Sequence, residues 1–450
     1  MSAIARFFHS KGVKVSGYDK TPTPLTRELE TSGIAIHYTE DVEQVPKKVE
    51  LVVYTPAIPA DHKELVYYRD NGYKVVKRSD VLQIITASSF NVCIAGTHGK
   101  TTITTMVAHL LRHTGFGCNA FLGGISVNYG TNFWSSERNV IVVEADEYDR
   151  SFLKLHPDIA VISAMDADHL DIYGDERSLQ DAFVAFGNQV RPGGVLIAKF
   201  GLGRVKEIKT GNKLSYSLQN EAADIYASDI KIGNGGYVFS IHLKDRIISG
   251  IELKIGGMHN VENVMVAAAI ANELDIDPEK IKQAIAGFKG VKRRFEYVIP
   301  PEVKQKGGYV YPVMIDDYAH HPEELRALLK SARSLFPQRL ITVVFQPHLF
   351  TRTRDFEVGF GDALSIADRV ILLPIYPARE EPIEGVSSAM LMDKISREDK
   401  MLLSKEELLE WMKAHKDSVN KEFGEVVIMA GAGDIDALVQ PVKTIIEKTW

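Results

Sequence analysis
Short apolar runs recur along this chain between segments of helical periodicity, and no other feature narrows its fold as much. They lie within NVCIA (91–95), NVIVVEA (139–145), DIAVISAMDADH (158–169), RLITVVF (339–345), RVILLP (369–374) and EVVIMAGAGDI (425–435). A strand that is apolar on both faces is buried on both, which indicates a parallel sheet covered by helices on each side. Repeated alternation of this kind predicts an α/β protein.

The runs fall into three groups. SAIARFFHSKG (2–12) reads as a helix with Ile4, Phe7 and Phe8 on one face, followed by a short strand ending in Asp19. That is the second half of a nucleotide-binding βαβ unit, so the chain opens inside the motif. The expectation is a Rossmann-like first domain (1–85) lacking its first strand, with a gap or exposed edge beside VKVSGYD. A second domain (86–296) starts with NVCIA, carries a mostly parallel sheet, and includes a small antiparallel addition over 225–255. GGMHNVENVMVAAAIANEL (256–274) is a strong helix, and KGVKRRFEYV (289–298) reads as an interdomain hinge. A third α/β unit (297–450) then runs from YPVMIDDY (311–318) to the end.

At 450 residues, with 45% hydrophobic and 25% charged residues, the chain has the composition of a multidomain soluble protein with ample core. A net charge of −6 and the lack of a basic block argue against nucleic-acid binding. Two cysteines, Cys93 and Cys118, suggest neither a disulfide framework nor a zinc site. No apolar stretch approaches the ~20 residues of a membrane span. The expected location is therefore the cytoplasm, without membrane insertion.

AGTHGKTTITTM (95–106) sits between a strand and a helix. A Walker A loop needs a glycine five positions before Gly99, and Ile94 stands there. The shorter loop still has the working parts of a phosphate cradle. Gly96, Thr97, His98 and Gly99 form the turn, and Lys100 supplies a charge. Thr101 offers a hydroxyl for Mg²⁺, and Thr102 follows in the helix N-terminus, whose amides favour anions.

Magnesium takes hard oxygen donors and keeps several waters, so one or two protein ligands suffice. Parallel strands deliver such ligands at their C-terminal ends. VVEADEYD offers Glu144 directly after a buried strand, while Asp146, Glu147 and Asp149 read mostly as a solvated acidic turn. MDADHLD offers His169, either a structural histidine or a ligand at the end of the same sheet. Asn260 and Asn263 could read an adenine edge or cap a helix. In DDYAHHPEE, Pro322, Glu323 and Glu324 suit a helix start, which leaves Asp316, Asp317, His320 and His321 unexplained. His348, Arg352 and Arg354 follow another strand, where an arginine could form surface ion pairs or clamp a carboxylate.

GTHGKTT, EADEYD, DADHLD, HNVEN, RRFE, DDYAHHP and QPHLFTRT together, in this order, resemble the Mur ligases of peptidoglycan synthesis. The resemblance spans nearly the whole chain. It implies a UDP-substrate domain, a central P-loop-type ATPase domain and a C-terminal Rossmann-like domain for the amino acid. It implies ATP and Mg²⁺ as cofactors, and UDP-N-acetylmuramate and L-alanine as substrates, in a monomer or homodimer. The muramate carboxylate would attack the γ-phosphate, and the alanine amine would attack the resulting acyl phosphate. By the same resemblance Lys100 and Thr101 serve phosphates and metal, and Glu144 and His169 hold metal. Asn260 and Asn263 lie near adenine, Arg294 reaches the γ-phosphate, and Asp317 meets the nucleotide. Tyr318, His320, His348 and Arg352 form the amino-acid pocket. Lys100, Glu144, His169, Arg294 and His320 are the expected catalytic set.

Three departures accompany the resemblance. SLQDAFVAFGNQ (178–189) has no lysine, so no metal-bridging carbamylated lysine is expected there. Leu349 stands where some alanine ligases carry an arginine, leaving Arg352 as the main carboxylate partner. The N-terminal strand and its glycine-rich turn are not seen. Two other readings compete: a recycling ligase attaching a murein peptide to the same UDP-sugar, and a nucleotide-binding regulatory protein without ligase activity.

Overall fold
The computed structural model describes residues 1–55, 58–166, 170–233, 235–301, 310–378, 380–415 and 423–449. In the first domain, strands β1 (Ser16–Tyr18), β2 (Ala35–His37), β3 (Val52–Tyr54) and β4 (Val75–Lys77) are each three residues long. Among the described residues β1 pairs with β2 and β3 with β4, both in parallel, as two separate pairs. Phe7 of the helix Ser2–Ser10 packs against Phe121 and Phe133 of the next domain, at ring separations of 5.5 and 6.2 Å.

The central domain is built on β5 (Phe90–Ala95), β6 (Asn119–Ser126), β7 (Thr131–Trp134), β8 (Val140–Glu144), β9 (Ile159–Ile162), β10 (Val195–Lys199) and β11 (Asn212–Ser217). β12 (Ile225–Gly233), β13 (Gly236–His242) and β14 (Ile247–Leu253) complete it. Among the described residues these form one ten-stranded sheet in the order β14-β13-β12-β11-β10-β9-β5-β8-β6-β7. The antiparallel strands expected over 225–255 are present as β12, β13 and β14, and they extend the edge of this sheet. Tyr216 and Ser217 of β11 pair in parallel with Ile225 and Tyr226 of β12, and the sheet continues through them. β5 lies between β8 and β9, with Val92, Cys93, Ile94 and Ala95 fully buried. The helices Lys100–His113 and Met258–Glu273 pack on each other over one face of this sheet.

The C-terminal domain carries β15 (Glu296–Ile299), β16 (Val313–Asp317), β17 (Leu340–Phe345), β18 (Arg369–Leu372), β19 (Lys400–Leu402) and β20 (Glu425–Ala430), ordered β15-β16-β20-β17-β18-β19. All neighbours are parallel except β15 and β16. The hinge is hydrogen-bonded on both sides. Lys292 N–H donates to the Ile125 carbonyl (2.9 Å) and Val127 N–H to that of Gly290 (3.0 Å). Toward the C-terminal domain, Tyr318 N–H donates to the Arg293 carbonyl (2.8 Å) and Phe295 N–H to Asp317 Oδ2 (2.7 Å). Arg293 and Phe295 have φ of 59° and 46°, left-handed values uncommon for side-chain-bearing residues. The chain makes its sharp turn between the domains there.

Candidate active site
The loop after β5 is shaped by glycine. Gly96 has φ 135°, and a Cβ there would lie 2.1 Å from Ser163 Oγ and 2.8 Å from the Ala164 nitrogen. Only glycine lets β5 turn so close to the end of β9. Thr97 N–H donates to the Ala164 carbonyl (3.3 Å), and Ser163 Oγ donates to the His98 carbonyl. The His98 side chain is exposed and lies 3.7 Å from Asp166. Gly99, at φ 81°, is the N-cap of the helix that Lys100, Thr101 and Thr102 begin. The first amides of such a helix have no intrahelical acceptor and are available to an anion.

Thr101 Oγ1 lies 3.0 and 3.1 Å from the two oxygens of Glu144. Burial pushes the Glu144 carboxyl above its ordinary range, opposed by the Thr101 hydroxyl and the Lys100 charge. The approach of β6 makes this possible: a Cβ on Gly123 would lie 2.0 Å from Glu144 Oε2, and one on Gly124 would lie 3.0 Å from Thr101 Cγ2. A hydroxyl and a carboxylate at this separation are hard donors that fit adjacent positions of a magnesium shell completed by water and phosphate. Among the described residues no three His, Cys, Asp or Glu side chains converge as a metal cage. His169, the other expected ligand, lies outside the described residues.

Lys100 Nζ donates to the Gly96 carbonyl (2.8 Å) and to Glu147 Oε1 (2.7 Å). This corrects the reading of Glu147 as part of a solvated turn, because its side chain is 0% exposed. Composition and spacing could not say which of the acids after β8 turns inward. Its spacing of three from Glu144, opposite neighbouring Lys100 and Thr101, was the one available signal.

Asn260 and Asn263 are buried in the helix Met258–Glu273. Asn260 Nδ2 donates to the Gly256 carbonyl (2.6 Å), and Asn263 Nδ2 to Asn260 Oδ1 (3.1 Å). Asn263 Oδ1 points at the loop, 3.2 Å from where a Cβ on Gly99 would sit. The pair therefore borders the phosphate cradle, with part of its bonding used internally.

Across the hinge, Arg294 lies over the Tyr318 ring at 5.7 Å. Its neighbour Arg293 lies over the same ring at 5.0 Å and also fastens the C-terminal domain, donating to the Gly431 carbonyl and facing Asp316 at 3.8 Å and Asp436 at 3.7 Å. Asp317 is held by the amides of Phe295 and Ala319, each at 2.7 Å. Burial pushes its carboxyl up to about 6 against those two bonds. Its observed work is thus to clasp the hinge. The helix Pro322–Leu335 starts where expected, and Glu324 accepts from the His320 and His321 amides.

Tyr318, His320, His348 and Tyr376 form a continuous aromatic row, with successive ring separations of 5.2, 6.0 and 5.8 Å. Sequence reasoning missed Tyr376, which a backbone bridge places beside His348. His320 Nδ1 lies 2.9 Å from the Tyr318 carbonyl, which can only accept, so Nδ1 carries the proton and Nε2 the lone pair. Burial lowers the His320 pKa, and the Arg352 and Arg294 charges lower it further. His348 is lowered by burial and then by Arg352 and His320. Arg352 Nη1 is buried without a hydrogen-bond partner among the described residues, which marks it as a donor awaiting an acceptor. Arg354 pairs at the surface with Asp355 and does not join this group.

Comparison with known proteins agrees with the architecture. Residues 1–90 match the Mur ligase family catalytic domain, 94–271 the Mur ligase middle domain, and 293–433 the Mur ligase glutamate ligase domain. The UDP-N-acetylmuramate–L-alanine ligase of Porphyromonas gingivalis is 45% identical over 454 residues, covering 99% of this chain and 96% of that one. The protein of the same description from Parabacteroides distasonis is 46% identical over 455 residues, covering 100% and 95%. The crystal structure of the UDP-N-acetylmuramate–alanine ligase of Thermotoga maritima superposes with a TM-score of 0.80 at 25% identity, covering 100% of this chain and 96% of that one. A murein peptide ligase from Psychrobacter arcticus shares the fold, with a TM-score of 0.66 at 20% identity.

Proposed function
The chain belongs to the Mur ligase family, and from that premise we infer that it joins L-alanine to the carboxylate of UDP-N-acetylmuramate, consuming ATP. One observation carries this reading. Arg294, on the hinge, lies 5.7 Å from the Tyr318 ring, which packs 5.2 Å from the ring of His320, and the charge of Arg352 in the C-terminal domain lowers the pKa of that histidine. A cation on the hinge and a cation in the C-terminal domain beside one aromatic row support a reaction between an acyl phosphate and a free amino acid, with Arg294 toward the phosphate and Arg352 toward the carboxylate.

A carboxylate is a poor electrophile until one of its oxygens becomes a leaving group. The muramate carboxylate oxygen attacks the γ-phosphorus of ATP, releasing ADP. Lys100, Arg294 and the helix amides offset charge on the transferring group. Thr101 and Glu144 would hold Mg²⁺, which when bound neutralises phosphate charge. Arg352 receives the alanine carboxylate, and His320 Nε2 takes the proton that the ammonium must lose before its nitrogen attacks the acyl carbon. Phosphate then leaves.

Residues 1–85 take the UDP moiety, 86–296 the nucleotide and 297–450 the amino acid. Asn260 and Asn263 lie toward adenine, His169 completes the metal site, and the aromatic row with Tyr318 and His348 limits the amino acid to a small side chain. The reaction belongs in the cytoplasm, where ATP is available, and among the described residues no helix is long and apolar enough to cross a membrane. The deciding assay is ADP release from purified protein. It should require UDP-N-acetylmuramate and L-alanine together. Efficient use of a murein tripeptide in place of L-alanine would move the assignment to the recycling ligase, and release of no ADP under any combination would defeat both.

A further inference from the structure
The two ligands of Lys100 raise a question the ligase reading leaves open. A lysine ammonium has three N–H donors. In this site one is given to the Gly96 carbonyl and one to Glu147 Oε1, which leaves one. The Glu147 side chain is 0% exposed, and its second oxygen, Oε2, is buried with no hydrogen-bond partner among the described residues. A half-satisfied buried carboxylate is costly, and a neutral glutamine would accept the same bond from Lys100 without burying a charge. The backbone that carries it is fixed. The Glu147 carbonyl accepts from Tyr173 Oη (2.6 Å) and from the Arg150 amide (2.9 Å), on a turn leaving the buried strand β8. Four residues of chain, 144–147, therefore supply partners to two adjacent residues of the phosphate loop, Glu144 to Thr101 and Glu147 to Lys100.

We propose that Glu147 is the positioning residue of Lys100. Its carboxylate pins the ammonium on the loop, so that the third N–H is the one presented to the transferring phosphate. A lysine stem has four rotatable bonds, and an unpinned ammonium would spend most of its time away from the phosphate. Phosphoryl transfer depends on charge already in place when the transition state forms. Glu147 does not touch the substrate; it acts through Lys100. The proposal rests on the ligase reading.

The test uses the full chain with saturating ATP, UDP-N-acetylmuramate and L-alanine. Glu147→Gln keeps the shape and removes the charge. It is expected to lower kcat by about 10-fold or more while the KM for ATP stays within about 3-fold, since ground-state binding relies on the amides and Thr101. In single turnovers with enzyme in excess, adding Glu147→Gln to Lys100→Gln should change the residual rate by less than about twofold, because a residue acting through another has no effect once that one is gone. A purely structural role would lower both rates by the same factor. If Glu147→Gln does not fold, Glu147→Asp carries the test: it keeps the charge one methylene short, should give an intermediate loss, and should lose its effect in the Lys100→Gln background. Wild-type kcat in a folded Glu147 variant, or losses that multiply, would overturn the proposal. An inactive wild-type protein would instead mark a failure of the ligase reading.

Discussion

The hydroxyl of Thr101 meets both carboxylate oxygens of Glu144, at 3.0 and 3.1 Å, although 43 residues separate the two in sequence. The contact joins the first turn of a helix to the end of the neighbouring strand, and glycines at 123 and 124 leave the room for it.

Turnover should follow Mg²⁺ through this pair. Chelation with EDTA should stop ADP release, and Glu144→Gln should raise the Mg²⁺ concentration giving half-maximal rate by about 10-fold or more. An unchanged Mg²⁺ titration in an active Glu144→Gln protein would place the ion elsewhere.

Lys100→Ala should lower the rate by about 10²–10³-fold, the usual effect of removing a preorganised charge from a developing anion. It should also lower thermal stability, because Glu147 is left buried without its counter-charge, a loss of about 3 kcal/mol. Adding Glu147→Gln should return the melting temperature toward wild type without returning the rate. Calorimetry beside the ADP assay separates the two effects.

Arg352→Met should raise the KM for L-alanine by roughly 10–150-fold, the worth of a charge-assisted hydrogen bond of about 1.5–3 kcal/mol. The KM for ATP should not move. Equal increases in both constants would mean that Arg352 supports the fold of the site rather than the amino-acid carboxylate.

His109 gives a pH dependence unconnected with catalysis. It is buried, bonded through Nε2 to the Ala284 carbonyl (2.8 Å) and through Nδ1 to Tyr129 Oη (2.9 Å). Burial pushes its pKa down to about 4. An unfolded histidine titrates near ~6.5. Between those values the unfolded chain binds more protons, so stability from His109 is full above pH ~6.5 and is lost as pH falls toward ~4. Wild type should therefore lose about 2–3 kcal/mol more than His109→Gln between pH 7 and 4.5 in urea unfolding. Parallel losses would show that His109 does not titrate in this window.

The sequence by itself determined the most apolar central strands, β5, β8, β9, β16, β17, β18 and β20, and the loop after β5, while the less apolar β6, β7, β10 and β11 became visible only in the sheet. Short both-face apolar runs alternating with helical segments point to buried parallel strands, and a strand leading through Gly96-Thr97-His98-Gly99 into a helix presents Lys100 and Thr101 at its start. Glu144 was legible because it abuts VIVV, and Pro322 and Glu324 because helix starts have local chemistry. What the tertiary structure decided were matters of direction and distance. Glu147 turns inward while Tyr148 beside it stays exposed, since only the folded turn brings one acid under Lys100. Adjacent arginines share the Tyr318 ring, at 5.0 and 5.7 Å, but Arg293 also fastens the C-terminal domain through the Gly431 carbonyl. Asp317 spends its oxygens on the amides of Phe295 in the hinge and of Ala319, and Tyr376 comes to His348 through a bridge between distant loops. Periodicity and motif spacing report what a residue's near neighbours require. Which buried group meets which charge depends on packing between segments far apart in the chain.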